Sequence, residues 1–245
     1  MDLLAELGRG VGVLASRALD LALPATCAGC DREGTTLCAQ CRPALDARLH
    51  LAPGTPVGLP GDIPALLVQV EWCASFGGVA RRALHRLKYT GDRRLAEPLG
   101  HAVGRRWARA GAGGEVLVPV PASPDRVRDR GYDQAELIAR AAGRVCGLPV
   151  CLLLERSRVT TAQFDLDRSA RSGNVAGAFR MRTRTEVGVE VGALDGHDGP
   201  VRLAGAWVVL VDDVLTTGST LGACARVLMD HGALAVSAVT VARER

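Results

Sequence analysis

Aromatic side chains are nearly missing from this 245-residue chain, which has three Phe, three Trp and two Tyr, or 3% of its residues. Its core must therefore be built from Val, Leu, Ala and Ile, and a hydrophobic share of 48% supplies enough of them. The same scarcity excludes an aromatic stacking platform as the main device for gripping single-stranded nucleic acid. Lysine is almost absent too: Lys88 is the single one, and every other basic side chain is arginine. No apolar run approaches the roughly 20 residues needed to span a bilayer. The start carries Asp2 and Glu6 where a secretory signal would carry basic residues. These absences imply a soluble, cytoplasmic protein without a membrane span. The net charge of +4 is mild and spread along the chain. It suits a phosphate-bearing ligand without demanding one.

The length has room for one ordinary domain and a small module. Residues 1–23 place Leu3, Leu4, Leu7, Val11, Leu14, Ala18 and Leu19 at helical spacing. This predicts an amphipathic helix packed on the rest of the protein, with a membrane-surface helix as the alternative. Residues 24–50 hold four clustered cysteines. Residues 51–78, with a Pro- and Gly-rich stretch from Pro53 to Pro64, read as a linker. Residues 79–245 form the main domain. Helical periodicity runs from Val79 to Arg109, interrupted at Thr90-Gly91-Asp92. Strands are expected at Glu115–Val120, Val150–Leu154, Trp207–Val211 and Ala235–Val241, with helices at Gln134–Cys146 and Thr220–His231. The polar, Gly-rich stretch from Arg182 to Gly205 reads as a surface loop or irregular hairpin. Short, continuously apolar strands between helices predict an α/β fold with a parallel sheet covered on both faces. Cys73, Cys146, Cys151 and Cys224 sit singly among apolar neighbours and read as small buried hydrophobes.

The densest chemistry lies in Val208-Val209-Leu210-Val211-Asp212-Asp213-Val214-Leu215-Thr216-Thr217-Gly218-Ser219-Thr220. Four apolar residues predict a buried strand that ends at two carboxylates. A hydroxyl-rich loop then runs into a helix. Ligands of parallel sheets bind at the carboxyl ends of the strands. A helix N-terminus there offers unpaired N–H groups and the positive end of its dipole to a phosphate. Thr216, Thr217, Ser219 and Thr220 add hydroxyl donors, and Gly218 lets the backbone come close. Adjacent carboxylates would repel a phosphate but suit vicinal hydroxyls. The physical reading is a phosphorylated sugar, against the plainer one of an Asp-Asp turn before a Thr-capped helix. The whole 13-residue segment resembles the phosphoribosyl pyrophosphate motif of type I phosphoribosyltransferases. That resemblance implies that Asp212 and Asp213 bind the ribose 2′ and 3′ hydroxyls. It likewise implies that the segment from Val214 and Leu215 through Thr216, Thr217, Gly218, Ser219 and Thr220 holds the 5′-phosphate.

Upstream, Val118-Pro119-Val120-Pro121 runs into Ala122, Ser123 and Pro124, then Arg126, Arg128 and Arg130. Arginine suits bidentate contact with a pyrophosphate, though any one of these side chains can equally be a solvated charge. Arg130-Gly131-Tyr132-Asp133-Gln134-Ala135 follows. This segment resembles the ComF family, in which a Val-Pro-Val-Pro strand precedes an Arg-Gly-aromatic-Asn-Gln-Ala stretch; Asp133 stands where Asn is usual. Further on, Arg156, Thr160, Gln163, Leu166, Arg171, Asn174 and Gly177-Ala178-Phe179 match the spacings of the same family. Lys88 also falls on a family position. The resemblance covers Leu19 to Val241 and implies a type I phosphoribosyltransferase fold. It implies a catalytic role for Arg130 beside the acidic pair, and pyrophosphate contacts from Pro121, Ala122, Ser123, Arg126 and Lys88. Arg156, Thr160, Gln163, Arg171 and Asn174 would then belong to a mobile loop that closes over the reacting centre.

Cys27, Cys30, Cys38 and Cys41 form two Cys-x2-Cys pairs seven residues apart. Each pair can chelate through a tight turn, and four thiolates complete a closed tetrahedral zinc site, hence a structural one. Two disulfides or unpaired thiols are the alternative, and the lack of a secretory signal weighs against disulfides. ComF-like proteins carry a similar knuckle near the N-terminus. Two functions follow as expectations. One is a transferase that binds phosphoribosyl pyrophosphate with Mg2+ and passes the phosphoribosyl group to an acceptor. The other is a non-catalytic competence protein of DNA uptake, with single-stranded DNA or competence-type helicases as partners.

Overall fold

The computed structural model of the chain describes residues 25–53, 65–157, 177–182 and 203–244. The helix expected over 1–23 and the loop expected over 182–205 fall largely outside them. Residues 25–53 make up the four-cysteine module, with a bridge between Thr26 and Glu33 and a 3-10 turn over Arg42–Asp46. Then follow β1 (Leu67–Ser75), α1 (Gly78–Tyr89), α2 (Ala96–Ala110), β2 (Val116–Pro119), α3 (Pro124–Arg130) and α4 (Gln134–Cys146). The chain continues through β3 (Leu154–Arg156), β4 (Phe179–Met181), β5 (Trp207–Leu215), α5 (Ser219–Asp230) and β6 (Ala235–Arg243).

Four strands form one all-parallel sheet in the order β1-β6-β5-β2, and β3 and β4 pair antiparallel. The α/β class is as expected. Side chains alternate across β5, as the pleat requires. Val209 and Val211 pack on one face with Leu99 and Val103 of α2 and Ile138 and Ala142 of α4. Val208 and Leu210 pack on the other with Leu221, Cys224 and Leu228 of α5. Burying each such Val or Leu stabilises the fold by roughly 1.5–3 kcal/mol. Both faces are covered, so strands of continuous apolar sequence are stable here.

Three expectations need correction. The stretch 51–78 is not all linker, because β1 lies within it as an edge strand paired with β6. Its polar residues Gln69 and Glu71 hide the strand pattern. Glu71 is buried because Arg106 of α2 donates to its Oε2 from Nε at 3.0 Å and from Nη2 at 2.6 Å. The segment from Val150 to Leu154 is not a regular strand: Val150 makes one isolated bridge to Leu117, and the ladder begins only at Leu154. Finally, β5 does not stop at Val211. It continues through both acids to Leu215, because β6 keeps pairing it, Asp212 with Thr240 and Val214 with Ala242. Of the single cysteines, Cys73, Cys151 and Cys224 are buried as expected, while Cys146 is half-buried.

The module is fused to the sheet domain rather than tethered to it. Cys27, Ala28, Leu37, Cys38 and Leu45 share one core with Cys73, Ala83, Leu84 and Leu87. Arg106 also donates from Nη1 to the carbonyls of Arg48 at 2.6 Å and Leu51 at 2.8 Å. Arg105 holds both oxygens of Asp46 at 2.8 Å.

Candidate functional site at the carboxyl edge of the sheet

The last bond between β2 and β5 is Val120 N–H to Val211 O, at 2.9 Å. Beyond it β2 turns away and β5 runs on, paired on one side alone. Asp212 and Asp213 therefore stand at a notch in the carboxyl edge, where an open α/β sheet binds its ligands. Asp212 is half-buried and accepts the Asp213 N–H on Oδ1 at 2.8 Å. Asp213 is buried, its Oδ2 2.7 Å from Lys88 Nζ and 3.1 Å from Gln134 Nε2. Burial and the neighbouring Asp213 carboxylate hold the Asp212 carboxyl well above the usual range, against the pull of the Asp213 amide and Lys88.

These contacts assemble four segments. Lys88 comes from the end of α1, and Gln134 is the first residue of α4. Arg130 Nη1 donates to Gln134 Oε1 at 2.9 Å, so Arg130 reaches the acidic pair through Gln134. Tyr132 donates its hydroxyl to Leu87 O, which pins α1 to the start of α4. Lys88, expected among pyrophosphate ligands, pairs with Asp213.

At the end of β5, Val214 is half-buried and Leu215 buried, while Thr216 and Thr217 beyond it are exposed. Gly218 has φ 80°, a left-handed backbone that L side chains seldom adopt, and it starts α5 without a side-chain cap. The Thr217 and Ser219 hydroxyls lie 2.7 Å apart. Thr220 and Leu221 in the first turn have no protein acceptor for their N–H groups among the described residues. Amides without acceptors at Thr220 and Leu221, a positive dipole end and nearby hydroxyls make this turn competent to hold an anion.

On the other side of the notch lie Pro121 and Ala122, half-buried. The Ser123 hydroxyl accepts the Arg126 N–H at 3.4 Å and so caps α3, while the Arg126 side chain is exposed. Asp133 clarifies its departure from the usual Asn. Its Oδ1 caps α4 by accepting the N–H of Ala135 at 2.8 Å and of Glu136 at 3.3 Å. Its Oδ2 accepts the Ala122 N–H at 2.7 Å, which fixes the loop after β2. An Asn amide nitrogen could not accept that last bond. Burial raises the Asp133 carboxyl, and the three amides partly offset it. Arg156 ends β3 with its guanidinium over the Phe179 ring; Thr160, Gln163, Arg171 and Asn174 lie outside the described residues.

The motifs named Gln134 without a role, and they missed Glu71, Arg106 and Arg82. Arg82 of α1 donates to the carbonyls of Ala28, at 2.9 Å, and Gly29, bracing the first cysteine turn. A lone arginine in an amphipathic helix gives no sign of such a partner.

The four sulfurs of Cys27, Cys30, Cys38 and Cys41 lie within 4.8 Å of one another, and none is in a disulfide. Tetrahedral zinc with Zn–S of about 2.3 Å places its sulfurs about 3.8 Å apart. The Cys30–Cys38 separation is 3.7 Å. The donor set therefore fits a closed structural metal site. Burial pushes the Cys27 thiol up, but amide donors led by those of Cys38 and Gly29 outweigh it, leaving it at about 6. Gly29 is required by space, since a Cβ there would lie 2.6 Å from Cys41 Cβ and closer still to its sulfur.

A parallel sheet with two acids near a strand end, beside an uncapped helix start, makes this an α/β protein with a polar notch at its carboxyl edge. The chain matches no family model. It is a homologue of curated proteins carrying two kinds of name. The DNA utilization protein YhgH of Salmonella typhi is 27% identical over 215 residues, 82% of this chain and 87% of the relative. Competence protein F of Haemophilus influenzae is 32% identical over 119 residues, 48% of this chain and 45% of the relative. Competence protein ComFC of Bacillus subtilis is 25% identical over 180 residues, 73% of this chain and 65% of the relative. Among solved structures, the glutamine phosphoribosylpyrophosphate amidotransferase from B. subtilis gives a TM-score of 0.41 at 16% identity, covering 65% of this chain and 30% of that one. Phosphoribosylpyrophosphate synthetase from Mycobacterium smegmatis gives 0.29 at 20%, covering 60% and 34%. The chain thus spans about a third of either solved chain. Among the described residues no helix is long and apolar enough to cross a membrane.

Proposed function

We propose that this chain binds phosphoribosyl pyrophosphate with Mg2+ at the notch and transfers the phosphoribosyl group to an acceptor nucleophile. One observation carries the reading: Asp212 and Asp213 stand near the carboxyl end of β5, with only Val214, Leu215 and the 216–218 loop between them and the uncapped start of α5. The ribose 2′ and 3′ hydroxyls donate to the two carboxylates. The 5′-phosphate takes the amides and hydroxyls of Thr216 to Thr220. Lys88 balances one negative charge of the pair, and Gln134 holds Asp213 in place. Pyrophosphate leaves ribose C1 with the bonding electron pair, the acceptor's lone pair forms the new bond, and the acceptor's proton passes to solvent. Catalysis on this reading is positioning and charge stabilisation, without a covalent enzyme intermediate. We also infer that the four thiolates hold a structural Zn2+.

Calorimetric titration of phosphoribosyl pyrophosphate with Mg2+ tests the site. Wild type is expected to bind, and Asp212→Asn/Asp213→Asn to lose at least a hundredfold while keeping its melting transition. Unchanged affinity in the double variant, or none in wild type, would overturn the reading.

The names of the relatives favour a second reading, a non-catalytic role in DNA uptake or utilization. Single-stranded DNA or a competence-type helicase would then be the partner. Affinity for single-stranded DNA falling steeply with salt, with no pyrophosphate released in any acceptor screen, would select it.

A further inference from the structure

A cleft of about 520 Å³ opens beside the notch, between the loop after β2, the first turns of α3 and α4, and residues 152–156. Its walls are largely apolar, with Pro121, Val127, Leu152 and Leu154 among them. The Tyr132 ring adds a flat surface, and its hydroxyl is already engaged by Leu87 O. The size falls within the range of small-molecule sites. Neither Asp212 nor Asp213 lines it, nor does any residue of the 214–220 loop. It shares Pro121 and Ala122 with the rim of the notch but none of its acids or its hydroxyl loop, so the inference stands without the proposed function.

Charge in this cleft is unbalanced. Each of its carboxylates is matched: Asp133 by three amides, Glu136 by Arg140 and Glu155 by Arg180. Arg128 is matched by Asp125. Arg156 and Arg182 also line it, and among the described residues neither has an ion pair. Arg182 is fixed in place by its backbone N–H, 2.9 Å from Leu153 O. Its Nε is buried and meets no acceptor. A buried N–H without an acceptor is destabilising, more so on a charged group, so its placement calls for a partner. The other such nitrogen among the described residues, Arg105 Nε, belongs to a guanidinium already holding Asp46 with Nη2. Arg182 has no comparable carboxylate.

We propose that this cleft is a binding site for a small carboxylate with a ring-sized apolar body. The apolar walls take the ring and the Arg182 and Arg156 guanidiniums take the carboxylate, for which arginine's planar fork is shaped. The probe pair is 2-naphthoate and its neutral amide, 2-naphthamide, titrated calorimetrically into the full-length, zinc-loaded protein. The acid is expected to bind at least tenfold more tightly than the amide. Arg182→Leu keeps the apolar stem and should erase that preference. Val127→Trp fills the cleft and should abolish both ligands; it decides the matter if the arginine variant does not fold. Asp212→Asn/Asp213→Asn should leave naphthoate binding unchanged, which separates this site from the notch. Equal affinity for acid and amide, a preference surviving Arg182→Leu, or no binding at all would overturn the proposal. The last outcome would mean that the guanidinium is satisfied within the chain.

Discussion

The four-cysteine module and the notch at the carboxyl edge treat their polar groups in opposite ways. In the module the four cysteine sulfurs face one another. Four sulfurs converge, amides point at them, and Gly29 leaves no space even for a methyl group. At the notch two carboxylates share one lysine, and the first turn of α5 keeps amides with no acceptor. Closure of the first kind stabilises and excludes solvent, while openness of the second kind is destabilising until a ligand arrives. The comparison teaches where to expect loss of fold from a substitution and where to expect loss of binding alone.

The largest effect should come from opening the closed region. Cys38→Ser removes one of four converging sulfurs from a residue that belongs to the shared core. Zinc content, read by metal analysis, is expected to fall well below one per chain. Because the module and the sheet share that core, melting should remain a single transition. It should drop by more than about 10 °C, at roughly 2–4 °C per kcal/mol for a chain of this size. Two separate transitions would break the comparison, since the module would then be a folding unit of its own.

Next in size is the joint between the regions. Glu71→Gln leaves the Arg106 guanidinium, 1% exposed, without a carboxylate. Removing one partner of a buried pair costs roughly 3–5 kcal/mol, a loss that urea unfolding would measure. A smaller step is Gly29→Ala, where the added Cβ would lie 2.6 Å from Cys41 Cβ. Overpacking of this kind costs roughly 1–3 kcal/mol. Zinc affinity, measured by chelator competition, should fall, while phosphoribosyl pyrophosphate titrations stay as in wild type. A matching fall in both would show that the two regions are coupled.

The two regions also differ in how far the sequence alone discloses them. The helix expected over Gln134–Cys146 has those bounds in the structure, where Asp133 caps its start and Gly147 its end. The cysteine spacing, likewise, was enough to bring the four sulfurs together. Local patterns of this kind carry their own geometry. The notch was half legible: the acids and the hydroxyl loop stand in one segment, but their charge partners do not. Lys88 lies 125 positions before Asp213 in the numbering and Gln134 lies 79 before it. Such pairings are set by how α1 and α4 pack on the sheet, which no local pattern encodes. β1 was hidden for a related reason. A buried Glu71 breaks the apolar run of a strand, and only Arg106, 35 residues away, makes that burial tolerable.

The smallest effect sharpens the comparison most, because its sign is unusual. At the notch, replacing a conspicuous acid should stabilise the ligand-free protein. Burial and the adjacent Asp213 carboxylate raise the Asp212 carboxyl far above its unfolded value, near 3.8. The facing Lys88 and the Asp213 amide oppose this shift, and the Asp133 carboxylate adds to it. A raised carboxyl binds its proton more tightly in the folded state than in the unfolded one. Below the unfolded value both states are protonated, and the group has no effect on stability. As pH rises from there to the folded value, the unfolded state ionises first and stability is lost; above the folded value the loss is complete. Asp212→Asn removes the ionisation, so the variant should unfold at higher urea than wild type at neutral pH. The gain should shrink as pH is lowered and vanish near pH 4. Phosphoribosyl pyrophosphate with Mg2+ should reverse the order at neutral pH, stabilising wild type more than the variant. A variant less stable than wild type at neutral pH without ligand would show that Asp212 is held by partners as complete as those in the module, and the contrast between closed and open regions would fail at that residue.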